Sequence, residues 1–541
     1  MSNVDGLFRQ QAQARSMRSK DRIPKASFLV GVFASLLAGC AAGPDFKPPA
    51  PPAVGAYTAE PLPQATASAP VPLGEAQRLH IGSTPPQAWW KMLDSPRLDA
   101  LIDEALSTNP SLTAARANLR QAQELYAART GSTEYPQITA DLGAQRQRMN
   151  PSNLGQTGAA REFSLYNAGV GVHYQLDLAG GNRRALEALA ARIDYQRYQL
   201  EGEQLLLAGN IATSAIARAR LAAQIDATKA IVRAQTQQLQ IARERLHLGQ
   251  ANPDEVLALQ SQLEGTRAQL PVLIQKLQQT EHSIAVLAGR APAAGHIPAF
   301  TLADFRLPTE LPVVVPSELV HHRPDIQAAE ALLHAANAEY GVAVAKLYPQ
   351  LDLSASLGSQ ALTTGALFGG GSAIWSVLGQ LSQPLFNPGL PAEKRASLSA
   401  LDAAAANYQS VVLNALRNVA DVLRALDHDS QALAALAAAD TAAQASLESM
   451  ERQYELGSAN YVQLLITRQQ SQQTRISLIA AQAQRLADSV ALCQALGGGY
   501  ERPENDKMSA PTVSMRQAST TRIYPIDTPR RTPDSHETDP L

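Results

Sequence analysis

The sequence predicts a mainly α-helical protein with a membrane-type β part, built from two copies of one unit in which a strand pair leads into a long coiled-coil helical hairpin. Three observations carry that reading. Landmarks recur in the same order: Asn109-Pro110-Ser111 with Arg323-Pro324-Asp325, Tyr135-Pro136-Gln137-Ile138 with Tyr348-Pro349-Gln350-Leu351, and Leu248-Gly249-Gln250-Ala251 with Leu456-Gly457-Ser458-Ala459, at offsets of 214, 213 and 208 residues. No proline falls between Arg183 and Leu248, and about 65 helical residues at 1.5 Å each reach roughly 100 Å, wider than a compact domain. Segments of about ten residues alternate apolar with small or polar side chains, as a strand with two different faces must.

Composition narrows the function. The 541 residues are 45% hydrophobic and 5% aromatic, and 46 Lys and Arg stand against 48 Asp and Glu. A balanced charge removes the attraction to phosphate on which nucleic-acid proteins depend, so no nucleic-acid partner is expected. Scarce aromatics with abundant Ala and Gln favour long, closely packed helices. Two cysteines, Cys40 and Cys493, supply neither a disulfide framework nor a four-Cys zinc site.

Basic residues Arg9, Arg15, Arg18, Lys20, Arg22 and Lys25 precede the apolar run Ala26 to Leu37, the layout of an export signal and too short for a permanent span. Leu37-Ala38-Gly39-Cys40 resembles the bacterial lipoprotein box, which implies cleavage after 39, diacylation of Cys40 and attachment to membrane lipid by buried acyl chains. Ala41 stands where such lipoproteins carry an Asp for inner-membrane retention, so the implied address is the outer membrane. Nine prolines between Pro44 and Pro72 deny this stretch a helix, and 40–84 is expected to run as an extended tether.

The first repeat is read over 85–300, with strands at about 137–148 and 163–178 and a hairpin at about 183–290. The second is read over 301–497, with strands at about 350–359 and 374–386 and a hairpin at about 391–496. Val170, Val172, Tyr174, Leu176 and Leu178 share one strand face, as do Leu351, Leu353, Ala355 and Leu357. Such strands suit a membrane barrel with a wet lumen, and equally a half-buried soluble sheet. Leu186, Ile193, Leu200 and Leu207 recur every seven residues, as do Ile225, Val232, Leu239 and Leu246, separated by a step of 18 that should relax the supercoil. Val412, Val419, Leu426 and Leu433 form the second seam, Asp440 interrupts it, and Leu447 and Tyr454 resume. The seams need partners, for which the return helices 253–290 and 459–496 are expected. Pro271 should kink the first of these or mark a helix start. Gly497 and Gly498 should stop the last helix, leaving 498–541 as a Pro-rich, polar, disordered tail.

This order of features, together with Ala88-Trp89-Trp90 before Leu98 and Leu101, Ala105-Leu106, Leu176-Asp177-Leu178 before Gly180, Ala329-Glu330 and Gln383-Pro384-Leu385-Phe386-Asn387, resembles the TolC-like outer membrane efflux proteins, in particular the NodT-type lipoproteins of RND tripartite efflux systems. The resemblance implies a homotrimer whose chains each give four strands to a shared twelve-stranded outer membrane barrel, continued by α-helical hairpins as a periplasmic tunnel. It implies docking on a periplasmic adaptor and an RND-type inner membrane transporter, and passive conduction of drugs or other toxic compounds outward. Four strands cannot close a membrane barrel alone, which agrees.

Sites are therefore expected to be mechanical. Gly249 and Gly457 suit the positive φ of a sharp reversal, and by resemblance these tips, with Leu248, Gln250, Leu456 and Ser458, also receive the adaptor. Relatives place Asp residues after the second tip as an acidic ring; Gln463 and Ile466 stand there here. Asp254 and Glu255 follow the first tip, where a gate carboxylate is expected by resemblance, and where an acidic first turn also suits the helix dipole. Trp375 and Tyr174 fit either interfacial anchoring or core packing. His321, His322, Asp325 and His334 lack metal-ligand spacing. No Walker, zincin, redox or hydrolase motif occurs, so neither an enzyme nor a cofactor is expected. The competing readings are a periplasmic adaptor, which carries one hairpin beside lipoyl modules, and a coiled-coil lipoprotein without a pore.

Overall fold

The computed structural model describes residues 42–150, 155, 157–293 and 296–498. The export signal read over 1–39, Cys40 and the tail from 499 onward lie outside the described residues.

The Pro-rich segment forms no helix, as expected, and is strapped along the body. Its backbone, having no helical bonds to make, offers carbonyls to side chains. The Ala42 amide donates to Ala179 O at 2.8 Å, and Arg184, 5% exposed, donates to Ala42 O and pairs with Asp45 at 2.6 Å. Phe46 stacks on His334 with ring centres 4.3 Å apart. Tyr57 donates to Val314 O at 2.7 Å. The segment ends in β1 (Arg78–Ile81), which pairs in parallel with β4 (Glu310–Val313).

Two helices follow. In α1 (Pro96–Thr108) Leu98, Leu101, Ile102 and Ala105 recur at helical spacing and all are buried. Asn109 ends it and opens α2 (Pro110–Thr133): its Oδ1 accepts the Ser111 amide at 2.8 Å while its Nδ2 donates to Leu287 O. Asn-Pro is thus a cap followed by a proline whose missing N–H would have no helical partner.

Tyr135-Pro136 and Tyr348-Pro349 separate helix from strand. Strands β2 (Gln137–Met149), β3 (Arg161–Leu176), β5 (Gln350–Ala361) and β6 (Ala373–Ser382) form one antiparallel sheet in the order β2-β3-β5-β6. The sheet therefore joins the strand pair of one half to that of the other through β3 and β5. Strand ends shift by a few residues from expectation, and two of the shifts have a visible cause. β3 stops at Leu176, because the Leu178 amide turns back to Leu176 O. β6 stops at Ser382, two residues before Pro384, which has no N–H for a ladder.

The register gathers the apolar positions on one side. Ile138 faces Val172, Val170 faces Leu357, Leu357 faces Trp375, and Leu351 faces Leu381. Side chains on this side stay uncovered: Leu142 is 83% exposed, Leu357 67%, Trp375 77% and Val377 75%. The other side is mainly small and polar, with Thr139, Asp141, His173, Gln175, Asp352, Ser354, Ser356 and Gln380 beside the apolar Phe163, Leu165, Ile374 and Leu378, and with Ser356 and Ser376 hydroxyls 2.8 Å apart.

Long helices α3 (Gly181–His247) and α7 (Gly389–Glu455) each have 67 residues, a length of about 100 Å. Return helices α4 (Pro253–Leu287) and α8 (Tyr461–Ala495) have 35 each, so each covers only part of its long partner. The rest of α3 and α7 packs on α6 (Pro324–Ala345), which follows the short α5 (Pro316–His322), and α3 also meets α2. The seams pair with the return helices as expected, and with further helices besides. α3 changes partner along its length: Tyr198 packs with Ala328 and Ala331 of α6, Leu207 and Ile211 join Ile102, Ile284 and Leu486, and Leu239 meets Leu259 near the tip.

Asp440 does not break the second seam. It is 4% exposed, its Oδ2 accepts from Gln444 at 2.7 Å, and Thr474 on α8 donates to Oδ1 at 3.3 Å. α4 runs through Pro271, which starts no new helix; the proline is exposed, so the unbonded carbonyl a turn earlier faces water. α8 ends at Ala495, ahead of Gly497 and Gly498. Cys493 is buried at 3% exposure, and that burial pushes its thiol up to about 12, well away from a reactive thiolate. His334 is engaged by Glu187 at 2.8 Å as well as by Phe46.

Leu433 is fully buried where α7 meets α8, beside Ala437 and Leu478. Leu433→Ala is expected to destabilise the protein by about 3 kcal/mol through lost burial and the cavity left, read as a lower denaturation midpoint; an unchanged midpoint would contradict the seam.

Candidate functional site

The two helical tips are near copies built from the same local chemistry. After α3, Leu248 caps the helix and Gly249 takes φ +69°; the Gly249 amide donates to Leu246 O and the Gln250 amide to Arg245 O at 2.7 Å. After α7, Leu456 and Gly457 (φ +73°) repeat this, with the Ser458 amide donating to Gln453 O at 2.9 Å. The left-handed residue turns the chain while its neighbours satisfy the last carbonyls, and a side chain with Cβ would be strained there. Ala251 and Ala459 then lead to Asn252 and Asn460, each capping the return helix through its side-chain oxygen. Leu248 is 70% exposed and Leu456 84%, and Leu257, Val462 and Ile466 nearby are also exposed, so the tips present apolar side chains outward.

The copies diverge at the third residue of the return helix. In the second hairpin this is Gln463, whose Oε1 accepts the Asn460 amide at 3.0 Å while its own amide donates to Asn460 Oδ1, a closed capping box. In the first it is Glu255, which leaves its own cap and accepts a hydrogen bond from the Tyr454 hydroxyl of the other hairpin at 2.7 Å. Arg245 completes the bridge, donating to the Tyr454 oxygen at 2.9 Å with its guanidinium carbon 5.8 Å from the ring centre. Tyr461 stands edge-on to Tyr454 at 6.0 Å and packs with Leu239, Val256 and Leu259 of the first hairpin. Burial, then the Glu255 hydrogen bond, raise the Tyr454 pKa, so the phenol stays a neutral donor.

Of the expected gate pair, Asp254 is exposed in the acidic first turn, its amide bonded to Asn252 Oδ1, and Glu255 is half-buried in the bridge. One acid thus serves the turn and the other links the hairpins. Sequence reasoning had Tyr454 only as a seam residue and did not single out Arg245 or Tyr461. The available signal was a Tyr at a heptad position one turn before the tip, where an aliphatic side chain would pack as well. Arg468 pairs with Glu451 at 2.9 Å across the second hairpin.

Comparison with known proteins identifies the family. The outer membrane efflux protein family model matches residues 101–290 and 315–498. The probable efflux pump outer membrane protein TtgC of Pseudomonas putida is 29% identical, with 88% of this chain and 96% of that protein covered. The pyoverdine export outer membrane protein OpmQ of the same species is 31% identical, covering 77% of this chain and 89% of OpmQ. Among solved structures, the outer-membrane channel OprN superposes with a TM-score of 0.76 at 26% identity, over 85% of this chain and 99% of that one. A duplicated strand-pair-and-hairpin chain with this family match over both halves belongs to the outer membrane efflux protein family.

Proposed function

We propose that this protein is the exit duct of a tripartite efflux pump: three copies join their four-stranded sheets into a twelve-stranded outer membrane barrel, and their hairpins line a periplasmic tunnel that conducts exported compounds passively. The observation that carries this reading is the sheet. One face bears an uncovered apolar band across all four strands, the opposite face is mainly small and polar, and the outer edges of β2 and β6 have no strand partner among the described residues. An apolar band of this extent suits lipid, a polar face suits a wet lumen, and unpaired edges suit neighbouring copies. About five or six outward N–H and C=O pairs per edge, at several kcal/mol per group in hydrocarbon, make an open sheet untenable there.

Cys40 is the proposed lipidation site. Ala42, two residues on, is bonded to Ala179 directly after β3, and two residues reach at most about 7 Å. The anchor would thus meet the membrane at the helical end of the sheet. The tips, through Leu248, Gly249, Gln250, Leu456, Gly457 and Ser458, are proposed to dock on a periplasmic adaptor that connects to an RND-type inner membrane transporter. Leu248 and Leu456 offer the exposed apolar contacts such docking needs. Cargo selection is left to the transporter, since a wide polar tunnel makes few specific contacts.

The bridge of Arg245, Tyr454 and Glu255 is proposed to hold the tunnel mouth narrow by tying the hairpins together. Conduction then requires those bonds to open while Glu255, freed, offers a carboxylate to passing cations.

Purified protein in planar bilayers is expected to give discrete conductance steps; a trimeric preparation that stays silent would refute the duct and favour a pore-free lipoprotein. Tyr454→Phe removes both bridging hydrogen bonds, about 1 kcal/mol at this half-exposed site, and should raise the open fraction about fivefold. An unchanged open fraction would remove the bridge from the gate. The double variant Leu248→Asp with Leu456→Asp should lose a cognate adaptor in pull-down assays while conductance is retained; undiminished adaptor capture would exclude the tips as the docking surface.

A further inference from the structure

The apolar face of the sheet ends in charge. On β3 that face runs from Leu176 at the helical end to Tyr166, ten positions along the strand, or about 34 Å at the usual strand rise. Tilted by about 40°, such a run climbs about 26 Å, the height of the apolar band on an outer membrane barrel. Tyr166, opposite Ala144 of β2, closes the band with the kind of ring that sits at a membrane interface. The next outward position of this face on β2 is Arg146, opposite Ser164, and the one after it is Arg148, opposite Glu162. Strand alternation therefore puts both arginines on the face of Ile138 and Leu142, just beyond the band.

These arginines are held only loosely. Their side chains are 77% and 69% exposed, and among the described residues one acid, Glu162, pairs with them: Arg146 donates to its Oε2 at 3.4 Å, and Arg148 lies 3.8 Å from its Oε1. Each guanidinium is a planar fork of N–H donors, and such long single contacts occupy few of them. Two cations against one anion also leave the cluster positive. A charge facing hydrocarbon is strongly disfavoured at mid-band and tolerated at its rim, so the pair stands at the level of lipid headgroups.

We propose that Arg146 and Arg148 form a site on the outer wall of the barrel for the phosphate of a phosphorylated glycolipid in the outer leaflet. This rests on the duct reading, which puts the helical end of the sheet toward the periplasm and the far ends of β2 and β3 at the cell surface. Acyl chains of such a lipid lie along the band, beside Leu142, while its phosphate accepts paired N–H bonds from guanidiniums rooted about 7 Å apart on the strand. Glu162 keeps the forks on this side of the sheet and yields them to the phosphate, which carries more acceptor oxygens than a carboxylate. Lysines would supply the charge without the paired geometry. β2 is also an outer edge of the sheet, so a lipid bound here lies against the joint with a sister chain.

Native mass spectrometry of the full-length protein in mild detergent, titrated with bis-phosphorylated lipid A or with the same lipid after dephosphorylation, reads the site. The wild type should retain the phosphorylated form at least about tenfold better, the effect of one charge-assisted hydrogen bond. Arg146→Gln together with Arg148→Gln should bring the two lipids to equal retention. Arg161→Gln, one position beyond Glu162 and on the opposite strand face, should leave the preference intact. Equal retention by the wild type overturns the site without recourse to any variant. So does a preference that survives in the folded double variant, or one that disappears with Arg161. Inorganic phosphate in excess should leave the lipid in place; displacement would assign the arginines to a free anion and overturn the lipid site. Bilayer conductance of the same preparations separates this from the duct: a conducting particle without the preference loses the site alone, and a silent particle that keeps it loses the duct alone.

Discussion

A four-stranded sheet with an uncovered apolar face and two unpaired edges is the constraint around which the rest of this chain is arranged. Backbone groups at the outer edges of β2 and β6 must find partners, and the described residues supply none. In water the apolar band would drive association, and in hydrocarbon the open edges would each forfeit several hydrogen bonds. Lipid against the band and sister chains against the edges satisfy both demands at once, which is why the proposed ring follows from the sheet and not from the helices. The helices inherit the geometry. Each long helix leaves the sheet only a few residues after a strand; near the sheet α6 packs against both α3 and α7 with α2 also on α3, and nearer the tips α4 lies on α3 and α8 on α7.

Duplication sets up that architecture, and divergence between the halves supplies the contacts that lock them together. The clearest case is the third residue of each return helix. Gln463 closes a capping box within its own hairpin, while Glu255 at the equivalent place reaches Tyr454 in the other. A single amide-to-acid difference thus turns a local cap into a bridge between hairpins. Asp440 acts similarly at a heptad position, where an aliphatic residue would pack; paired with Thr474 and Gln444, it fixes the register of α7 on α8. The N-terminal segment adds a third connection by crossing the second hairpin on Arg485.

Much of the fold was legible because it rests on periodicity. The seven-residue recurrence of Leu186 to Leu246 and Val412 to Leu433, the period-2 strands and the repeated Leu-Gly breaks each reflect a geometry that side chains must obey locally. Strand ends were read less well where short-range chemistry decided them, as with Pro384 and the turn at Leu178. The return helices were legible as partners of the seams, whereas the share of the seams taken by α6 and the course of the N-terminal segment were not. Both depend on contacts between residues hundreds of positions apart: Arg485 with Gln77, Tyr57 with Val314, Tyr198 with Ala328 and Ala331. At the tips, turn chemistry was written in Gly249 and Gly457, but Tyr454, Arg245 and Tyr461 carry no local signature, since a hydroxyl or guanidinium reveals its acceptor only once the hairpins lie together.

The most direct test of the central claim is the mass of the intact particle extracted in mild detergent, determined by native mass spectrometry. The account predicts three chains per particle, with no stable single-chain species, because the edges of β2 and β6 are satisfied only by sister strands. A particle containing one chain, folded and stable with both edges open, would contradict it.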